Sequence, residues 1–378
     1  MSTAPKPAAR RRRARRAAAV VATIAGGLAA AVAAERYAVK RSRSNPDPDR
    51  GIELEERPGD ERRVTSFDGT ELAVNVIGPG RVPQDSPAGG TVLVFAHGFS
   101  LDMSSWHYQW KRFSRDYRCV LFDQRGHGRS AAGTDRDYSL DALGHDLKAV
   151  LDATSPDGPV VLVGHSMGGM SILSFAALYP KEFTPQGRVK AVVLANTAAA
   201  EVLKSLIGGI GVRIDALFLA AVRRIGSKPE RAERLRKRAL DSRGDLGYLV
   251  ARLTNFGPHA PPSLVDYAVR VATRTPIEVW TDALAGIIEL DLGHAIEHIT
   301  VPALVTVGDV DRLTPPASAL AIKRMLPDGR MFVFNGSGHC TMLERHTQFN
   351  RVVAGFLEEA LEAEQEDTTP KRDERTPA

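Results

Sequence analysis

Apolar residues come in short unbroken runs through the body of this chain: Thr91 to Ala96, Arg118 to Phe122, Val160 to Val163, Lys190 to Ala195, Ala303 to Val307 and Met331 to Phe334. Runs of this length, bounded by Gly and Pro and lacking polar alternation, predict strands buried on both faces, as in a parallel sheet. Between them lie stretches with apolar residues spaced three and four apart, among them Leu140 to Leu151 and Ser166 to Leu178, which predict helices. The alternation implies an α/β chain with a mostly parallel twisted sheet and helices on both faces. Ahead of it, Val64 to Phe67 and Glu71 to Ile77 flank Asp68-Gly69, a hairpin-turn pair that adds antiparallel strands at one edge.

The alternation breaks once. Residues 199–298 read as helix and loop with no strand of the core type, inserted beside the carboxyl ends of the strands, where they predict a helical lid. The core is then 63–198 and 299–361. Residues 41–62, with Pro46, Pro48 and Pro58 among many charges, read as a solvated linker, and 362–378 as a disordered tail. No internal repeat marks a solenoid.

Charge changes this picture only at the amino end. The formal net charge of +5 is concentrated in residues 1–40, where Arg10 to Arg16 holds six arginines. The remainder is close to neutral, so no nucleic-acid partner is expected. Residues 17–34 are uncharged and rich in Ala and Gly, just reaching the roughly 17–25 residues of a membrane span. A single membrane anchor is the expectation, giving a membrane-associated chain; a cleaved signal peptide of a secreted protein and a non-inserting arm of a cytoplasmic one stay open. Cys119 and Cys340 read as free thiols, and no spacing of His, Cys or carboxylates calls for a metal.

The chemistry is concentrated in loops that follow strands. Gly164-His165-Ser166-Met167-Gly168 fits G-x-S-x-G between a strand and a helical run. The turn must be sharp, and Gly164 and Gly168 keep side chains out of it while it lifts the Ser166 hydroxyl clear of the sheet. Serine is a poor nucleophile without a base, and the base needs an acid to orient it. Gly308-Asp309-Val310-Asp311 follows one late strand and Gly336-Ser337-Gly338-His339 the next, so the chain order is Ser, Asp, His. His339 is the candidate base; either Asp309 or Asp311 can supply the acid.

With HGF at His97 to Phe99, DQRGHGRS at Asp123 to Ser130, GHSMGG at Gly164 to Gly169, GDVDRLTP at Gly308 to Pro315 and GSGH at Gly336 to His339, residues 62 to 360 resemble the α/β-hydrolase superfamily. Within it they are most similar to the esterase, lipase and non-haem perhydrolase branch. The resemblance implies the α/β-hydrolase fold, Asp311 as the acid, the backbone N–H groups of Phe99 and Met167 as an oxyanion hole, and no cofactor. It also implies a small-molecule ester substrate, including acyl lipids. Perhydrolase, haloperoxidase-like or thioesterase activity with the same residues is the alternative, and a non-enzymatic binding member of the fold a remote one. Epoxide and haloalkane hydrolases of the superfamily carry Asp where this chain has Ser166.

His97 and His127 read as braces of their turns, and His165 as a packing residue of the elbow. Trp106, Trp110 and Phe113, at helical spacing, read as a core stripe rather than an acyl-pocket wall. Within the insertion, Arg231 to Arg243 is basic and reads as a solvated helix face, while Leu206 to Ala221 offers a greasy underside suited to a medium or long acyl chain.

Overall fold

The computed structural model describes residues 34–79, 90–200, 224, 230, 233, 234 and 245–368. Eight strands form one sheet: β1 (Asp60–Thr65), β2 (Glu71–Ile77), β3 (Val92–Ala96), β4 (Arg118–Phe122), β5 (Val160–His165), β6 (Val189–Ala195), β7 (Ala303–Gly308) and β8 (Gly329–Phe334). Their spatial order is β1-β2-β4-β3-β5-β6-β7-β8, antiparallel at β1-β2-β4 and parallel from β4 onward. The hairpin turns at Asp68-Gly69, where Gly69 takes φ +87° and the Thr70 amide donates to Asp68 Oδ1 at 3.0 Å. The first strand starts earlier than its apolar residues predict, because Asp60 to Arg63 pair through their backbone on an exposed edge that asks nothing of their side chains.

Every residue of β3, β5 and β7 is buried, since the two faces of the sheet each carry a helical layer. Leu93, Phe95, Val161 and Val163 pack with helix α2 (His107–Phe113) and the final helix, which we number α9 (His346–Thr368). Val92, Val94, Val160 and Leu162 point the other way, against α3 (Leu140–Thr154), α4 (Met167–Leu178) and α8 (Pro316–Met325). Full burial of one such Leu, Val or Phe contributes about 1.5–3 kcal/mol. Trp106, Trp110 and Phe113 are buried in the first of these layers, as a core stripe. Helix α9 continues to Thr368, beyond the expected start of a disordered tail at 362.

Between β6 and β7 the described residues form α5 (Asp245–Asn255), α6 (Pro262–Ala272), α7 (Ile277–Ile288) and a 3-10 turn over Gly293–His298. The stretches Leu206 to Ala221 and Arg231 to Arg243 lie outside the described residues, apart from two isolated positions in the second. The membrane-like stretch 17–34 also lies outside them except for its last residue. Among the described residues no helix is long and apolar enough to cross a membrane.

Residues 41–62 are not a solvated linker. A first helix, α1 (34–43), and the chain up to Arg57 form a strap packed on the fold, with Val39 and Leu54 buried. On one side the strap holds the inserted helices: Arg43 pairs with Asp266 at 2.9 Å, Ser263 Oγ donates to Asp47 at 2.6 Å, and Glu55 accepts from Arg270 at 2.8 Å. On the other it holds the core, where Tyr108 donates to Asp49 at 2.6 Å and Arg57 lies 2.9 Å from Asp102 and 3.2 Å from Asp123. The charges that suggest solvation in the sequence are partnered across more than 200 residues of chain at Arg43, Asp47 and Glu55.

Candidate active site

Ser166 sits between the end of β5 and the start of α4 with φ +52° and ψ −116°, a backbone conformation that costs about 1–3 kcal/mol in a non-glycine residue. The glycines around it have a spatial reason. A Cβ on Gly164 would fall 2.5 Å from the Gly168 carbonyl oxygen, and one on Gly168 would fall 2.1 Å from that of Ala96. The elbow is thereby pressed against the end of β3 and the loop that follows it. A Cβ on Gly98 would come within 3.2 Å of the Ser166 Cβ, which places the Phe99 loop beside the nucleophile candidate. Met167 is the first residue of α4, where the helix leaves its N–H groups without intrahelical acceptors. The Phe99 ring lies between His127 of the core and Trp280 of α7, with centroids 5.9 and 5.7 Å away.

The loops after β7 and β8 bring Asp311 and His339 together. The His339 ring donates from Nδ1 to Asp311 Oδ2 at 2.9 Å, so the neutral ring carries its lone pair on Nε2. Asp311 is buried and well supplied with donors: the amides of Leu313 and Thr314 at Oδ1, the Thr314 hydroxyl and the Asn196 amide at Oδ2. Burial alone pushes its carboxyl up; the charge of His339 and these hydrogen bonds outweigh that and hold it below the ordinary value. Asp309, the other acid candidate, is exposed and accepts the Ser337 amide instead.

The braces behave as their motifs imply. His97 donates from Nδ1 to the Gly98 carbonyl at 2.8 Å and accepts the Gln124 amide on Nε2 at 2.9 Å, joining the Phe99 loop to the DQRGHG turn. His165 donates from Nε2 to the His339 carbonyl at 2.9 Å, and burial drops its pKa to about 3, so it packs as a neutral ring beneath His339. In the DQRGHG turn, buried Arg125 is bonded to Asp146 at 2.7 Å and to Asp68 at 3.0 Å, which anchors the turn to α3 and the hairpin.

Ser166, His165, His339, Phe99 and Thr314 line one cavity of about 580 Å³. Its remaining wall is largely supplied by the inserted helices, including Val250, Ala251, Val269, Ala272, Trp280 and Leu284, so α5 to α7 line the same cavity as Ser166. None of the described lining residues carries a formal charge. The inserted helices are tied to the loop that bears His339: the Cys340 amide donates to the Asn255 carbonyl at 2.9 Å, and half-buried Glu344 accepts the amides of both Gly257 and Gly338. Burial holds the Glu344 carboxyl above its ordinary value against those donors, and burial likewise raises the Cys340 thiol. Among the described residues no cluster of His, Cys, Asp or Glu is arranged to hold a metal ion.

Sequence reasoning missed Asn196, Thr314, Glu344 and Arg57. Thr314 was visible as part of the GDVDRLTP motif, whereas the other three act across long sequence separations.

A strand-ordered sheet of this topology, with Ser, Asp and His in loops beyond β5, β7 and β8, defines a class, and residues 91–346 match the family model described as alpha/beta hydrolase fold: the chain belongs to that family. It is similar to a non-heme chloroperoxidase of Burkholderia pyrrocinia, 26% identical over 72% of this chain and 93% of that protein. It is also similar to a bifunctional esterase/perhydrolase of Acinetobacter calcoaceticus, 24% identical over 78% of this chain and 98% of that protein. The solved esterase of Exiguobacterium antarcticum shares the fold with a TM-score of 0.62 at 20% identity, covering 80% of this chain and 100% of that one. The strap up to Arg57 precedes the matched segment.

Proposed function

We propose that this α/β hydrolase is a serine esterase acting on uncharged esters of apolar acids, with Ser166 as nucleophile, His339 as general base and Asp311 as the acid that orients it. The observation that carries the reading is that Ser166 and His339 face one cavity while His339 presents Nε2 by bonding Nδ1 to Asp311 at 2.9 Å. In the proposed reaction His339 takes the Ser166 proton as the serine oxygen bonds to the ester carbonyl carbon. The oxyanion is met by the N–H groups of Phe99 and Met167, each such donor being worth roughly 3–4 kcal/mol. The imidazolium returns its proton to the departing alcohol. Water, deprotonated by His339, then attacks the acyl-enzyme; the acid leaves and Ser166 regains its hydrogen.

The substrate class follows from the wall. An apolar acyl chain loses no hydrogen bond on entering such a cavity, whereas an acid chain ending in a carboxylate meets no cation among the described lining residues. A second reading, perhydrolysis, is favoured by the likeness to the bifunctional esterase/perhydrolase. There hydrogen peroxide replaces water as the attacking group on the acyl-enzyme and a peracid leaves.

Labelling with a fluorophosphonate, together with a panel of p-nitrophenyl esters of graded acyl length, tests the proposal. The parent protein is labelled and hydrolyses neutral esters, and Ser166→Ala abolishes labelling and lowers hydrolysis at least about a thousandfold. Undiminished hydrolysis by that variant would refute the assignment. Peracid formation in added peroxide, set against ester hydrolysis, decides between the two attacking groups.

A further inference from the structure

At the carboxyl end of β6 two polar residues face the three loops just described. Asn196 is fully buried and has φ +47°, in the left-handed region that Asn tolerates better than most side chains. Its Nδ2 donates to Asp311 Oδ2 at 2.8 Å and to the Gly338 carbonyl at 3.1 Å, while its Oδ1 accepts the Thr341 hydroxyl at 2.5 Å. Two acceptors on one side and a hydroxyl on the other fix which way the amide points. The backbone of the same residue donates to the Thr306 carbonyl of β7 at 2.7 Å. Its neighbour Thr197 donates from its hydroxyl to the Ser166 carbonyl at 2.8 Å, and the Ser166 amide returns to the Ala195 carbonyl at 3.0 Å. One short segment therefore touches the elbow, the Asp311 loop and the His339 loop.

Resting on the esterase reading above, we propose that Asn196 is a positioning residue of the site: its amide holds the Asp311 carboxylate and the loop of His339 in one register, acting on the chemistry through Asp311. A hydrophobic residue of similar size would fill the space but take the Asn196 bond from the Gly338 carbonyl and the Thr341 hydroxyl and leave Asp311 with one donor fewer. Removing an N–H donor from a carboxylate makes it more basic and strengthens its pull on the adjacent imidazolium. The acid limb of the activity profile is then expected to move upward. The titratable groups facing this pair are His165 beneath His339, Cys340 next to it and Glu344 in the following turn, and none of them bonds to the Asn196 side chain.

The test uses the full chain with Asn196→Gly and Asn196→Asp, reading kcat, KM and the fluorophosphonate labelling rate of Ser166 across pH. Glycine adopts the positive φ without strain, so it removes the side chain while sparing the backbone. Expected are a fall of about ten- to a hundredfold in kcat and labelling rate, an unchanged KM, and an acid limb moved to higher pH. Asn196→Asp keeps the shape, replaces the donor by an acceptor, and moves the limb further. A glycine variant with parental kcat, labelling rate and acid limb overturns the proposal. If that variant does not fold, the Asp variant decides: an unmoved limb overturns it equally. A parent protein that fluorophosphonate leaves unlabelled defeats the esterase reading and this inference together, whereas a labelled parent with an indifferent glycine variant defeats the inference alone.

Discussion

Asp311 shows how one side chain's surroundings become a measurable property. Its carboxyl is held below the ordinary 3.8, because the charge of His339 and donors from Asn196 and Thr314 together outweigh the effect of burial. The unfolded chain therefore takes up a proton at this position before the folded one does as pH falls. The stabilisation is complete above the unfolded value and is lost as pH drops through the lower folded value. Asp311→Asn is expected to be less stable than the parent at pH 7 in urea unfolding, with the gap closing below about pH 4 as the parent's carboxyl is protonated. The same variant lowers kcat by about 10⁴, because an amide no longer fixes the imidazole with its lone pair on Nε2. A gap that stays constant down to acid pH would show that Asp311 makes no such linked contribution.

At the scale of an element, the strap from 34 to 57 performs a task that its composition hides. Arg57 brings a guanidinium between Asp102 and Asp123, whose side chains are 1% and 0% exposed. Asp102 caps the turn at Met103–Trp106 and Asp123 accepts the Met103 amide, so this ion cluster holds the segment that follows Phe99. Burial, and then the charge of Asp102, push Asp123 up to about 6 even with Arg57 opposing them. Arg57→Ala leaves two buried carboxylates without their cation, and is expected to cost about 3–5 kcal/mol at pH 7 in urea unfolding. The sign of the pH dependence follows from the raised value. A carboxyl that binds its proton more tightly when folded gains stability as pH falls, so the variant recovers part of its loss between pH 7 and 5. A loss independent of pH in that window would mean that Arg57 acts by packing alone.

For the molecule as a whole, the inserted helices and the core line one cavity, and the proposed esterase reading places acyl selectivity at their junction. Ala272 on α6 is half-buried and faces the cavity from the inserted helices, away from Ser166 and His339 in sequence. Ala272→Phe fills space that two or more methylenes would occupy, each worth about 0.8 kcal/mol on burial. The expected outcome is a tenfold or greater fall in kcat/KM for the longer esters with acetate and butyrate esters near the parental rate. An equal fall for every chain length would place the acyl group elsewhere.

The sequence by itself determined the sheet, since short apolar runs need burial on both faces and the helices between them supply it. It also marked Ser166, His339 and the Asp309–Asp311 loop as candidates, because sharp Gly-lined turns after strands are local events that nearby residues specify; the preference for Asp311 over Asp309 came from the family resemblance. Tertiary structure alone decided what depends on partners distant in the chain. The strap looks solvated until Asp266, Ser263, Asp102 and Asp123 are brought beside it. Asn196 is an unremarkable strand-end residue until Asp311 and Gly338 arrive from 115 and 142 positions away. Charge and hydrogen-bonding capacity can be read along a chain, but whether water or another side chain satisfies them is settled only when the chain has folded.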